Sequence, residues 1–168
     1  MWLTVWLACS QEASIESKTA EPNVVPKQVL PSEKEIEERE SNIEGVLYFA
    51  KSPECSADCI ESVKRQVPSW TPQIALDSLY QGPSKEETGL RFIGCGSSGA
   101  KLQAVESGVA KVQLEGDCGG CGSLSVYDLI VPTLKAFHEI NVVQLYDSSG
   151  KSQIEGAQID SRPACLEP

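Results

Sequence analysis

Cys118-Gly119-Gly120-Cys121 follows an alternating apolar run and precedes a helical one. A thiol pair at that spacing and placement gains thiolate character and can exchange electrons, so a thiol-disulfide oxidoreductase using Cys118 and Cys121 is one reading. The double glycine differs from common redox pairs, and Cys55, Cys59, Cys95 and Cys165 compete as partners. In a cysteine-rich secreted chain such a pair is more often structural. Cys55 and Cys59 joined with Cys118 and Cys121 would offer four thiolates to zinc in tetrahedral geometry. The long stretch between the two pairs and the exported setting argue against it, and no metal is expected.

Other groupings match by letters only. Gly94-x-Gly96-x-x-Gly99 has the spacing of a dinucleotide-binding loop, but that loop must lead into a helix whose N-terminus meets pyrophosphate. Here it leads into an alternating, strand-like segment. Gly150-Lys151-Ser152 lacks the earlier glycine of a phosphate loop, because Leu145 stands in its place. Both are read as turns. His138 is the only histidine, so any hydrolytic triad would need it, and nothing marks a nucleophile elbow. The many carboxylates lack calcium-loop spacing and are read as solvated surface. No cofactor and no catalytic residue is expected.

The seventh cysteine stands apart. Cys9 ends the apolar run Met1-Trp2-Leu3-Thr4-Val5-Trp6-Leu7-Ala8, which is too short to span a bilayer, a task needing roughly 20 apolar residues. Leu7-Ala8-Cys9-Ser10 resembles a bacterial lipobox, with Trp6 where leucine is usual. Residues 1–9 are therefore read as the end of a secretion signal whose start lies upstream, with Cys9 as the lipidated residue. Anchoring strength scales at roughly 0.8 kcal/mol per buried methylene. The remaining six cysteines form an even set available for disulfides.

Those groups need elements to hold them. The chain has 168 residues, 40% of them apolar, enough for one domain and a tail. Its net charge of −10 repels phosphate backbones and anionic lipid, so nucleic acid is not an expected partner. Residues 10–44 are rich in Glu, Ser, Lys and Pro without apolar period, and are read as a disordered acidic linker. Val46–Ala50 reads as a strand and Ser56–Gln66 as a short helix. A clearer helix follows Thr71, with Pro72 at its first position, Ile74, Ala75 and Leu79 on one face, and Gly82-Pro83 as its stop. Leu90–Ile93 reads as a strand. Residues 101–106 and 109–114 alternate around Ser107-Gly108 and form a hairpin. Leu124–Phe137 is helical, with Pro132 expected to kink or divide it. Asn141–Tyr146 is the last strand. Helices mixed with a hairpin make the class α+β, with a mixed sheet and two to three helices packed on it.

Leu47-Tyr48-Phe49, Arg65-x-Val67-Pro68 and Ala75-Leu76-x-x-Leu79-x-x-Gly82-Pro83 resemble the first half of a sporulation and germination GerMN domain. Gly89-Leu90, Leu102-x-x-Val105 and Gly108-Val109-Ala110-x-Val112-x-Leu114 resemble its hairpin. Ile130-Val131-x-Thr133-Leu134-x-x-Phe137, Val142-Val143-x-Leu145 and Gly150 resemble its closing helix and strand. The resemblance covers residues 45–151, leaving 152–168 as a C-terminal tail stapled to the domain. It implies a non-catalytic, often lipid-anchored bacterial envelope module that binds or scaffolds a protein or peptidoglycan, anchored on the membrane's outer side. The six domain cysteines and Pro132 depart from the family pattern. The cysteines suggest a disulfide-stabilised variant and Pro132 a helix that is not continuous; of the fifteen connectivities open to six cysteines, the choice is Cys55 with Cys59, Cys95 with Cys118, and Cys121 with Cys165.

Overall fold

Gly45, Leu47 and Phe49 alternate inward along the first strand, and a computed structural model of the chain, described over residues 42–52, 57–154, 156 and 158–166, buries all three. This strand, β1, runs Ile43–Ala50 and pairs antiparallel with β2, Ile60–Val67, from Ile43↔Val67 to Ala50↔Ile60. All described residues belong to one compact unit. The helix expected over 56–66 is thus replaced by a short 3-10 turn, Ala57–Cys59, and a strand. Ile60, Val63 and Val67 imitate helical spacing, but Val63, Arg65 and Val67 are the half-buried alternate positions. Arg65 lies inward because its guanidinium stacks 5.5 Å from the Phe49 ring centroid and finds carboxylate and carbonyl partners.

Helix α1, Pro72–Gln81, starts as Thr71 and Pro72 dictate: Thr71 Oγ1 accepts from the Ile74 amide, and Pro72 occupies a position that needs no donor. Gly82, at φ 81°, ends it. The expected strand over 90–93 is a single bridge, Ala50↔Arg91, whose two amide bonds tie the connecting loop to β1.

The hairpin forms as expected. β3, Ser97–Glu106, and β4, Val109–Gly116, meet through Ser107 and Gly108 at φ 50° and 82°, the left-handed pair of a type I′ turn. β5, Val142–Tyr146, adds parallel to β4, giving a mixed three-stranded sheet in the order β3-β4-β5 beside the two-stranded β1-β2 sheet. The fold class is α+β. Helix α2, Val126–Lys135, continues through Pro132, which therefore does not divide it. One missing amide costs one rung of the ladder, and buried Leu129, Ile130, Thr133 and Leu134 hold the rest against the core.

Both helices contribute to one core. Ala75, Leu76 and Leu79 of α1 and the buried residues of α2 join Leu47 and Phe49 of β1, Ala110, Val112 and Leu114 of β4, and Val143 and Leu145 of β5. Helix α1 contacts β3, and α2 contacts β1 and β5. The Thr133 hydroxyl, fully buried, accepts from the Tyr48 amide at 3.3 Å and so satisfies β1's far edge.

Candidate functional site

The glycine-rich loop that leads to β3 and the Cys118–Cys121 loop are fastened together. Cys95 bonds to Cys121 and Cys118 to Cys165, so the pairings expected between Cys95 and Cys118 and between Cys121 and Cys165 are corrected. Cys95, at φ 53°, and Gly96, at φ 84°, turn the chain into β3, and the Gly119 amide donates to the Cys95 carbonyl. That turn brings the Cys95 side chain to Cys121 and leaves Cys118 for the tail. Cys59 is disulfide-bonded as well. Cys55, its expected partner, lies outside the described residues, as does Cys9 with its expected lipid.

With Cys118 and Cys121 in separate bridges, neither supplies a thiolate for redox exchange or for zinc in this state. Among the described residues no group of three or more His, Cys, Asp and Glu is arranged to hold a metal ion. His138 is exposed, 3.1 Å from Glu139. Gly150 and Lys151 lie in a turn capped by Asp147, whose Oδ1 accepts from the Ser149 hydroxyl and the Ser149 and Lys151 amides. Burial pushes the Asp147 carboxyl up, but these bonds outweigh it and hold the group below its ordinary value.

A depression lies elsewhere among the described residues, between α1 and the outer edge of β3. Gln73, Asp77, Tyr80 and Gln81 form one wall, Ser98 to Leu102 the other, and Glu115 closes the side, enclosing about 820 Å³. Each wall follows from local rules. One turn of helix separates Gln73 from Asp77 and brings Gln73 Nε2 to 2.7 Å from Asp77 Oδ1. The second Nε2 proton goes to the Ala100 carbonyl at 3.1 Å, while Gln73 Oε1 accepts from the Leu102 amide at 2.8 Å. Two acceptors on one side and a donor on the other fix the carboxamide's orientation. Gly99 has no side chain, and the Glu115 carboxylate fills that space, with Oε2 2.6 Å from where a Cβ would stand.

At the deep end, Tyr80 packs its ring on Phe92, centroids 4.6 Å apart, and its hydroxyl lies 2.9 Å from Ser97 Oγ. Burial pushes the phenol up to about 12, with the Glu115 charge adding to the rise. The groove carries Asp77 and Glu115 against Lys101. Of its residues, Gly99 and Leu102 figured in the sequence as part of a glycine-rich turn and of the hairpin, while Gln73 and Asp77 were not marked as site residues. The only available signal was their four-residue spacing on the face away from Ala75 and Leu79.

No family model matches the chain, and no curated protein matches it. Among solved structures it is similar to the tandem GerMN domains of the sporulation protein GerM from Bacillus subtilis, at 18% identity and a TM-score of 0.47, over 76% of this chain and 48% of that one. The chain therefore spans about half the length of that structure.

Proposed function

We propose that this chain is a non-catalytic binding module of the bacterial envelope, tethered to the outer side of a membrane through a lipid on Cys9 and contacting a protein or peptidoglycan through the α1–β3 groove. The observation that carries the reading is the state of the cysteines. Every described cysteine is in a disulfide, the chemistry of an oxidising compartment, and the one thiol pair with redox spacing is divided between two structural bridges. No helix among the described residues is long and apolar enough to cross a membrane. The groove supplies hydrogen-bonding walls and fixed charges without a nucleophile paired to a base, a composition suited to recognition.

A photoreactive residue placed at Lys101 and irradiated in cells tests the reading. It predicts a discrete cross-linked species that is absent when the probe sits at Lys64 on β2. Equal capture from both positions, or none from Lys101, removes the groove as a binding site. Cys9→Ala is expected to abolish detergent-phase partitioning, and partitioning that survives the change eliminates the anchor. Oxidoreductase chemistry has its own check: the natively isolated chain, its Cys9 sulfur taken up by the lipid, is expected to show no free thiol in denaturant, whereas selective mild reduction yielding Cys118 and Cys121 thiols would restore the enzyme reading.

A further inference from the structure

We propose that the outer edge of β3 receives an extended, basic segment of a partner protein as an added strand, and that the Gln73 carboxamide holds the place of that strand until it arrives. This rests on the binding-module reading above and commits it to protein in preference to glycan.

The two edges of the three-stranded sheet are finished in the same hydrogen-bond pattern by different means. At the β5 edge the tail comes back alongside: the Ser161 amide donates to the Val143 carbonyl, and the Ser161 carbonyl accepts from the Leu145 amide. At the β3 edge the Gln73 side chain donates to the Ala100 carbonyl and accepts from the Leu102 amide. One group thus bridges residues i and i+2, the rung of a parallel ladder. At β5 the rung is backbone. At β3 it is a single carboxamide on a neighbouring helix, which a rotamer change withdraws. The same strand parity directs the Ala100 amide and the Leu102 carbonyl into the groove, two more pairing groups for an incoming backbone.

The groove fits a strand in length and charge. Gly99 to Leu102, the regular stretch between the two register shifts of β3, present about 13 Å of edge at roughly 3.3 Å per residue. Asp77 and Glu115 outnumber Lys101 along it, and Asp77 is already bound to the Gln73 amide that must move. A basic side chain on the arriving segment would take that carboxylate as Gln73 leaves. A second copy of this chain is a poor occupant, because each copy carries a net charge of −10. The outer strand β2 differs: Lys64 stands exposed on it, paired with Glu44, and Arg65 on its other face holds the Glu87 loop against it, features that discourage strand addition. Backbone pairing gives such complexes their affinity and side-chain pockets their selectivity.

The test uses the oxidised full chain and a display library of random peptides about seven residues long, enough to run past Gly99–Leu102. Selected peptides are expected to carry Lys or Arg and to slow hydrogen exchange at the Ala100 amide. N-methylation of one alternate set of peptide amides is expected to weaken binding about tenfold or more, and of the other set to leave it unchanged. Gln73→Ala is expected to tighten binding about tenfold by removing the competing carboxamide, and Asp77→Asn with Glu115→Gln to weaken it by a similar factor. Methylation of both sets without effect, or failure to select any peptide, overturns strand addition on the unaltered chain. Soluble peptidoglycan glycan strands serve as the second probe. If they protect the groove and peptides do not, strand addition falls while the binding-module reading stands; absence of cross-linking from Lys101 in cells is what would remove that reading.

Discussion

Gly45 shows how one residue sets the packing of its surroundings. A Cβ there would lie 2.5 Å from the Trp70 indole, which stacks on Phe137 with centroids 5.9 Å apart, so the bare backbone of β1 is what lets that aromatic pair close over the core. Gly45→Ala is expected to destabilise the fold by about 1–3 kcal/mol, read from a denaturant midpoint, since the rigid indole must shift. Tyr80 gives a second test. Its phenol is raised to about 12 by burial, so a spectrophotometric titration should show one tyrosine ionising about two units above the ordinary value near 10. The sign for stability follows: in the unfolded chain this phenol loses its proton first, so folding stability falls as pH rises from about 10 toward 12, and Tyr80→Phe should lessen that fall. At this scale the sequence was only partly legible. Cys95, Cys118, Cys121 and Cys165 were identifiable as bridge-forming residues, but their pairing depends on where the left-handed turn at Cys95 points. Gln73 carried no mark at all, because its role exists only once α1 lies beside β3.

Elements were legible where local rules and tertiary demand agree. Thr71-Pro72 with Gly82, and two alternating runs around Ser107-Gly108, each specify their own boundaries without help from the rest of the chain. β2 was misread because its inward side includes a charged residue, Arg65, whose satisfaction by Glu87 and Gly82 comes from a loop some twenty positions on. Leu90–Ile93 looked like a strand and is apolar because Leu90, Phe92 and Ile93 pack against the core from a loop. In α2, burial outweighs the break that Pro132 invites. Pro132→Ala is therefore expected to raise the melting temperature by restoring the missing donor, with a gain of about 1–3 kcal/mol; a lower melting temperature would show that the ring's packing contributes more than the rung it removes.

The molecule as a whole is braced by a few long-range ties. Arg65 holds Glu87 in a bidentate pair at 2.6 and 2.9 Å and also donates to the Gly82 carbonyl, joining β2 to the end of α1 and the loop beyond it. The Arg65 hydrogen bonds hold the Glu87 carboxyl below its ordinary value of 4.5. A depressed carboxyl contributes stability above that value, lost as pH falls through the folded one; acid unfolding followed by circular dichroism should thus be shallower below about pH 4.5 in Glu87→Gln. The Cys118–Cys165 bridge closes 47 positions of chain, and replacing both residues by serine is expected to cost about 2–4 kcal/mol in chemical denaturation. The crossed connectivity also bears on biogenesis. A chain oxidised as it emerges amino end first exposes Cys95, Cys118 and Cys121 before Cys165, and the nearest-neighbour bridges then available, Cys95 to Cys118 or Cys118 to Cys121, are both non-native. The native Cys95–Cys121 bridge is open at the same stage, and chains that take a nearer pairing first must break and re-form it once Cys165 has emerged. Refolding of the reduced chain under an oxidant alone should accordingly give a mixture of pairings, and adding a disulfide isomerase should raise the native yield.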